Sequence, residues 1–429
     1  MLNKFTLSFA VFLILAFSAP KANAEKVAIG GMANAKDIWY SLANGIVLET
    51  DAMNWDLSFG ASDRTASIST NDAKGIELYL VGEDYNDPID ILQMGDWKRY
   101  INSDSTWSLG SVSRKANSAD PFDFGWGQYN VATHNVLGNS VYVIKLADGT
   151  YKKLFIDILD GKARFYQFLY SDLDGDNEKS IKVDYSTTKS NKLYFSFTGD
   201  TVIEREPVAT EWDLVFGRYL SFIQEQYYPV TGVRTNGNIM SLRVEYENDI
   251  NPTDRQIAPE FGQLKHNITT IGSDWKQFNG QNYVFSNNRA HFLQKYKVEN
   301  MQNVPDGDMY QIVFTNFVGG TVGEMEFTLI NLSAQSVKDE NGNSFYLYPN
   351  ELNSGEYTSL IMSSVSNENY VINLFDLMGN VIYTNSYNSN IGLNQINLPT
   401  DVISKLSKGM YFIGLNSNTN NYQLKFIVK

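Results

Sequence analysis

The chain has no cysteine, and its 429 residues include only three histidines, His134, His266 and His291. The first absence excludes disulfides, thiolate nucleophiles, Cys-ligated zinc, iron–sulfur clusters and a Cys-borne lipid anchor. The second leaves Ser–His or Cys–His catalysis little to work with. Basic residues are outnumbered, 34 Lys+Arg against 48 Asp+Glu, for a net charge of −14. That balance excludes the phosphate-tracking surfaces of nucleic-acid binders. The G-x-S-x-G, H-E-x-x-H and G-x-x-x-x-G-K-[ST] motifs are missing from the sequence, and with them the chemistries they carry. Past the N-terminus no stretch approaches the ~20 apolar residues of a membrane span.

Apolar residues are plentiful at 43%, with 26 Tyr, 25 Phe and 7 Trp. This is enough to fill real cores, and the length suggests two to four domains. Lys4, the apolar run Phe5–Ser18 and Ala22-Asn23-Ala24 read in order as a secretory signal over residues 1–24, cleaved at an A-x-A site formed by Ala22 and Ala24. The mature chain is thus expected outside the cytoplasm, without a transmembrane span.

Helix-periodic stretches are short, the longest candidate lying near Ile257–Leu264. What dominates is two-residue alternation, and it occurs twice. Trp39-Tyr40-Ser41-Leu42 with its Gly turn is matched by Tyr194-Phe195-Ser196-Phe197. Asn54-Trp55-Asp56-Leu57-Ser58-Phe59 is matched by Glu211-Trp212-Asp213-Leu214-Val215-Phe216. Ile68-Ser69-Thr70-Asn71 is matched by Val233-Arg234-Thr235-Asn236. Later strands follow more loosely, Ala163–Tyr170 parallel to Glu324–Ile330. The expected fold class is therefore all-β: two tandem related antiparallel modules, residues 25–185 and 191–333, joined through the polar Ser186–Asn191. A third region, 346–429, is rich in Asn and Ser with short strands every 8–12 residues, and reads as a small C-terminal β-sandwich.

This tail resembles the type IX secretion C-terminal sorting domain of Bacteroidota. The matching residues are Tyr348-Pro349-Asn350, Val371–Val381 with Asp376-Leu377-Met378-Gly379-Asn380, Leu406–Phe412 with Lys408-Gly409-Met410-Tyr411, and the closing Lys425-Phe426-Ile427-Val428-Lys429. The resemblance implies partnership with the type IX secretion machinery, a secreted or outer-cell-surface location, and attachment to surface polysaccharide. The two modules resemble the HmuY-like family of haem-binding surface proteins, through Tyr194–Phe197, Trp212–Tyr219 and Val233–Gly237. That resemblance implies an all-β fold with a ligand cleft and haem as cofactor. The family often has His before an Arg-Tyr pair, where this chain has Gly217, so the haem ligands named for it are His134 and His291.

Two other features bear on chemistry. Asp172, Asp174, Asp176 and Glu178 alternate through a Gly-containing turn, a pattern that can wrap calcium. Of the tryptophans, Trp55 and Trp212 are expected in cores, while Trp39, Trp107, Trp126 and Trp275 lie nearer turns. Together these features predict a non-enzymatic surface protein that captures a small or apolar ligand. The alternatives are a structural or adhesive surface protein and, ranked last, a carboxylate-based hydrolase.

Overall fold

The computed structural model describes residues 23–31, 35–62, 65–319, 322–332, 337–338, 342–352, 356–417 and 420–429. These are nearly all β, with many antiparallel sheets. They form two compact units, one of Ala24–Leu329 and one containing Ile330–Lys429. The expected signal segment lies outside the described residues except for its last two positions, Asn23 and Ala24, which open the strand Asn23–Ala28. The expected helix near 257–264 is only a 3-10 turn, Phe261–Gln263, closed by a Glu260/Gln263 capping box. Pro259 disfavours helical geometry at the residue before it, which keeps the turn from extending.

The larger unit contains two lobes, each with its own core. In the first, strands run in the order Lys179–Asp184, Phe165–Ser171, Tyr151–Asp160, Val141–Lys145, Glu77–Gly82 and Lys98–Tyr100. In the second, the order is Asn23–Ala28, Glu324–Asn331, Gln302–Val318, Arg289–Glu299 and Ile239–Glu245. The repeat is visible in packing detail. Phe59 stacks on Phe168 at 5.4 Å and 20° in one lobe, and Phe216 on Phe327 at 5.5 Å and 19° in the other.

The lobes are not the two sequence copies. Each copy sends its leading hairpin into the other copy's lobe. The hairpin Lys36–Ser41/Gly45–Asp51, from the first copy, pairs with Leu214–Phe216 of the second, with Tyr40 opposite Leu214 and Ile38 opposite Phe216. The hairpin Lys192–Ser196/Thr201–Ile203, from the second copy, pairs with Leu57–Gly60 of the first, with Phe195 opposite Leu57 and Leu193 opposite Phe59. The strand Asn23–Ala28, which precedes the first hairpin, crosses as well, to the edge of the second lobe's large sheet, while Lys179–Asp184, the last strand of the first copy, edges the first lobe's. The segment Ser186–Asn191 therefore separates two sequence copies without separating two cores.

The Trp-Asp motif is what fastens the exchange. Asp56 Oδ2 accepts the Phe197 backbone N–H at 2.7 Å, and Asp213 Oδ2 accepts that of Leu42 at 2.8 Å. Each aspartate also has a lysine, Lys74 for Asp56 at 2.6 Å and Lys295 for Asp213 at 2.8 Å. The Asn of each Thr-Asn pair backs this up. Asn71 donates to Ala52 O and Trp55 O, and Asn236 to Ala209 O and Trp212 O. Both aspartates are 2% exposed, so each burial is compensated by a backbone donor and a cation.

The C-terminal unit is a two-sheet sandwich with strands close to those expected from sequence. One sheet orders Val337–Lys338, Ser344–Tyr348, Ser359–Ser364 and Gly392–Asn397. The other orders Glu351–Leu352, Asn421–Val428, Gly409–Asn416, Asn369–Phe375 and Val381–Asn388. Phe345, Leu360 and Met362 from the first sheet share a core with Ile372, Ile413 and Phe426 from the second. The last strand is internal: it pairs antiparallel with Gly409–Asn416 and parallel with Glu351–Leu352. The turn after Asn369–Phe375 is set by Asp376, whose carboxylate accepts from Met378 N, Asn380 N and Asn380 Nδ2. Gly379 there has φ +86°, a left-handed conformation that favours glycine.

Candidate functional site

The exchanged hairpins bring the two copies' aromatic positions together between the lobes. Trp39 packs edge-on against Trp212, with centroids 4.7 Å apart, and Tyr194 packs in the same way against Trp55 at 5.0 Å. Trp107 reaches the same place from the loop after Lys98–Tyr100. Its indole N–H donates to Thr235 O at 2.8 Å, and its own carbonyl accepts from Ser67 Oγ at 2.8 Å. That loop thus ties the first lobe to the second. Between these rings lies a cavity of about 340 Å³, walled by Trp39, Trp107, Trp212 and Tyr194 and rimmed by hydroxyl and amide side chains. A polar cavity of about 60 Å³ shares Trp39, Trp107, Lys192 and Tyr194 with it.

Charge is concentrated along the same seam. The Lys192 ammonium sits 4.5 Å from the centre of the Trp107 ring, and the Arg234 guanidinium 4.7 Å from it, within cation–π range. Glu206 accepts from Asn191 N at 3.1 Å and from Tyr194 Oη at 2.9 Å. Burial pushes the Lys192 ammonium below its usual range and the Glu206 carboxyl above its own. Asp72 is raised to about 6, chiefly by burial, against hydrogen bonds from Asn102 and Thr70 that pull the other way. Arg205 bridges to Asp37 at 3.0 Å and donates to Thr50 Oγ1 and Asp51 O.

The residues singled out from sequence lie elsewhere. His134 is exposed in a turn at φ +62°, with Nδ1 2.7 Å from Tyr129 Oη. His291 is 1% exposed inside the second lobe, on a strand between Ile239–Glu245 and Gln302–Val318, and burial lowers it to about 3. The two belong to different lobes, and neither lines the cavity. The histidine that does is His266, whose Nε2 lies 2.8 Å from Gly237 O. Asp172 is taken up by Lys152 at 2.5 Å and Asn177 at 2.6 Å, while Asp174 Oδ1 accepts from Asp176 N. Among the described residues no group of three or more His, Asp or Glu side chains is placed to hold a metal ion, so Asp172, Asp174, Asp176 and Glu178 are not gathered into one.

Of the tryptophans, Trp39, Trp126, Trp212 and Trp275 are buried, while Trp55 and Trp107 are half-buried. Sequence reasoning missed Lys192, Glu206 and Arg234. The available signal was divergence between the copies: Lys192 stands where the first copy has Asp37, and Arg234 where it has Ser69.

Comparison with known families matches residues 347–429 to the secretion system C-terminal sorting domain. That domain indicates handling by the type IX secretion machinery and a secreted or cell-surface location. No helix among the described residues is long and apolar enough to cross a membrane. No curated protein matches the chain. Solved structures with some similarity include two. One is PorZ, described as an essential bacterial surface component of the type IX secretion system of Porphyromonas gingivalis, at 13% identity over 70% of this chain and 41% of that one, TM-score 0.16. The chain thus spans about two-fifths of that structure's length. The other is the BSP domain of a biofilm-associated protein, at 10% identity over 100% of this chain and 84% of that one, also TM-score 0.16. At that TM-score neither shows a shared fold.

Proposed function

We propose that the chain is a type IX cargo whose two-lobed body captures a small ligand at the cell surface and does not transform it. The observation that carries this reading is the aromatic cavity at the seam. Its volume lies at the small end of the ~300–1,000 Å³ typical of ligand sites, and its lining mixes apolar rings with a few convergent polar groups, as such sites do. Its carboxylate, Glu206, is occupied by Tyr194 and Asn191, which suits a wall group better than a hydrolytic acid or nucleophile. The sorting domain supplies the route to the surface.

The test is to titrate the chain from Glu25 to Lys429 with a panel of small ligands, haemin included, while following tryptophan fluorescence and absorbance. Saturable binding that is lost in W107A supports the reading. A haemin Soret band that survives the double substitution His134→Ala/His291→Ala but is lost in W107A would assign haem to the cavity. Binding that W107A leaves untouched would overturn the reading. So would a panel that fails throughout while deletion of the protein impairs cell adhesion, the outcome the structural or adhesive alternative requires.

A further inference from the structure

We infer that the cavity takes a carboxylated sugar ring, a hexuronate. This rests on the cavity reading above and names its ligand class. The cavity wall holds donors that lack acceptors. The Lys192 ammonium makes no hydrogen bond or ion pair among the described residues. Its close neighbour is the face of Trp107, and Glu206 and Asp72 act on it only through space. The indole N–H of Trp212 is likewise buried without a partner.

The corresponding position in the other copy shows that this is not a property of the fold. Asp37, which matches Lys192, is paired with Arg205 at 3.0 Å. The pseudo-symmetry is broken where the cavity lies, and what Lys192 lacks there is a hydrogen-bonding anion, since the Glu206 carboxylate in the same wall is taken by Asn191 and Tyr194. A half-buried cation without a hydrogen-bonding acceptor is incompletely compensated, and a bound carboxylate would supply a charge-assisted hydrogen bond.

The rest of the lining describes the body of the ligand. Ser62 and Thr65 present hydroxyls with no partner among the described residues, and Asn191, whose Nδ2 donates to Asn236 Oδ1 at 3.0 Å, presents an amide at the same rim. Rings on one side and hydroxyl and amide groups on the other fit a molecule with one apolar face and a polar edge, which is the form of a pyranose. A quaternary ammonium ligand is disfavoured, because the aromatic walls already hold Lys192 and Arg234.

The experiment titrates the chain from Glu25 to Lys429 with glucuronate and galacturonate, and in parallel with glucose and galactose. The expected result is uronate binding about tenfold or more tighter than the matching neutral sugar, the discrimination one charge-assisted hydrogen bond supports. K192Q should erase that preference, and K192R should keep it. Equal binding of acidic and neutral sugars, or a preference that survives K192Q, would overturn the assignment and leave the cavity reading standing. Saturable, W107A-sensitive binding of another panel ligand together with no binding of any of the four sugars would also overturn it. Loss of W107A sensitivity for every ligand would instead remove the cavity reading itself.

Discussion

The exchange of leading strands makes a reciprocal prediction. Asp213 belongs to the second copy but holds the turn of the first copy's hairpin, through its 2.8 Å bond from Leu42 N. Asp213→Ala leaves that N–H without its partner in a site 2% exposed at the aspartate, at a cost of ~1–3 kcal/mol. Lys295, 31% exposed, can rehydrate, so the lost ion pair adds at most about 1 kcal/mol. The expected loss is about 2–3 kcal/mol, measured by denaturant unfolding of the whole chain. Hydrogen exchange locates it: D213A should speed exchange across Lys36–Asp51 and leave Lys192–Ile203 protected. D56A should do the reverse, because Asp56 holds Phe197 N. Local opening of this kind is resolved by exchange even when the global change is small. If each substitution loosened the hairpin of its own copy, the exchange would be refuted.

Three further outcomes follow from the packing of the same chain. The Asp72 carboxyl is raised to about 6 by burial, so its ionised form is disfavoured by folding. The stability it contributes is fully present below the unfolded value near 3.8 and lost as pH rises through 6. D72N should therefore gain on the wild type by on the order of 1–2 kcal/mol between pH 4 and 7.5, once the shift is discounted for partial exposure; a constant difference across that range would contradict the burial argument. Phe216→Ala removes a 0%-exposed ring stacked on Phe327 and should cost about 3–5 kcal/mol in a chemical melt, where a cost below 1 kcal/mol would mean the second core is misplaced. Removing residues 421–429 takes an internal strand from the sorting domain's sheet; cell fractionation should find the truncated chain retained in the periplasm, and its normal appearance at the surface would count against the address reading.

Much of this was legible in the sequence. Alternation of Trp, Leu and Phe in Trp55–Phe59 and Trp212–Phe216 marks strands, and strands are found at Leu57–Gly60 and Leu214–Ile223, buried on both faces over Leu57–Gly60 and Leu214–Gly217 where the alternation implies one buried face. The tail's strands and its Asp376–Asn380 turn were readable for the same reason, since turn chemistry is local. The exchange was not legible. Two similar copies present the same hydrogen-bonding edge, so periodicity alone cannot say whether Lys192–Ser196 pairs with Leu57–Gly60 or with Leu214–Gly217. Only the connection through residues 204–213 and the packing of the lobes decide it. Trp107 was hidden because its Ser- and Thr-rich loop has no period, and it acquires a role only when its indole meets Thr235 from the other lobe. The histidines attracted attention by their chemistry, yet His291 is a core residue and His134 a turn residue. The more informative signal was a difference between copies, Lys192 against Asp37 and Arg234 against Ser69.

A crystal structure of the chain from Glu25 to Lys429 grown with glucuronate tests the central claim most directly. The account predicts density for one sugar between Trp39, Trp107 and Trp212, with its carboxylate within hydrogen-bonding distance of Lys192 Nζ. Sugar bound only on an outer face, with the space between the lobes holding solvent alone, would contradict it.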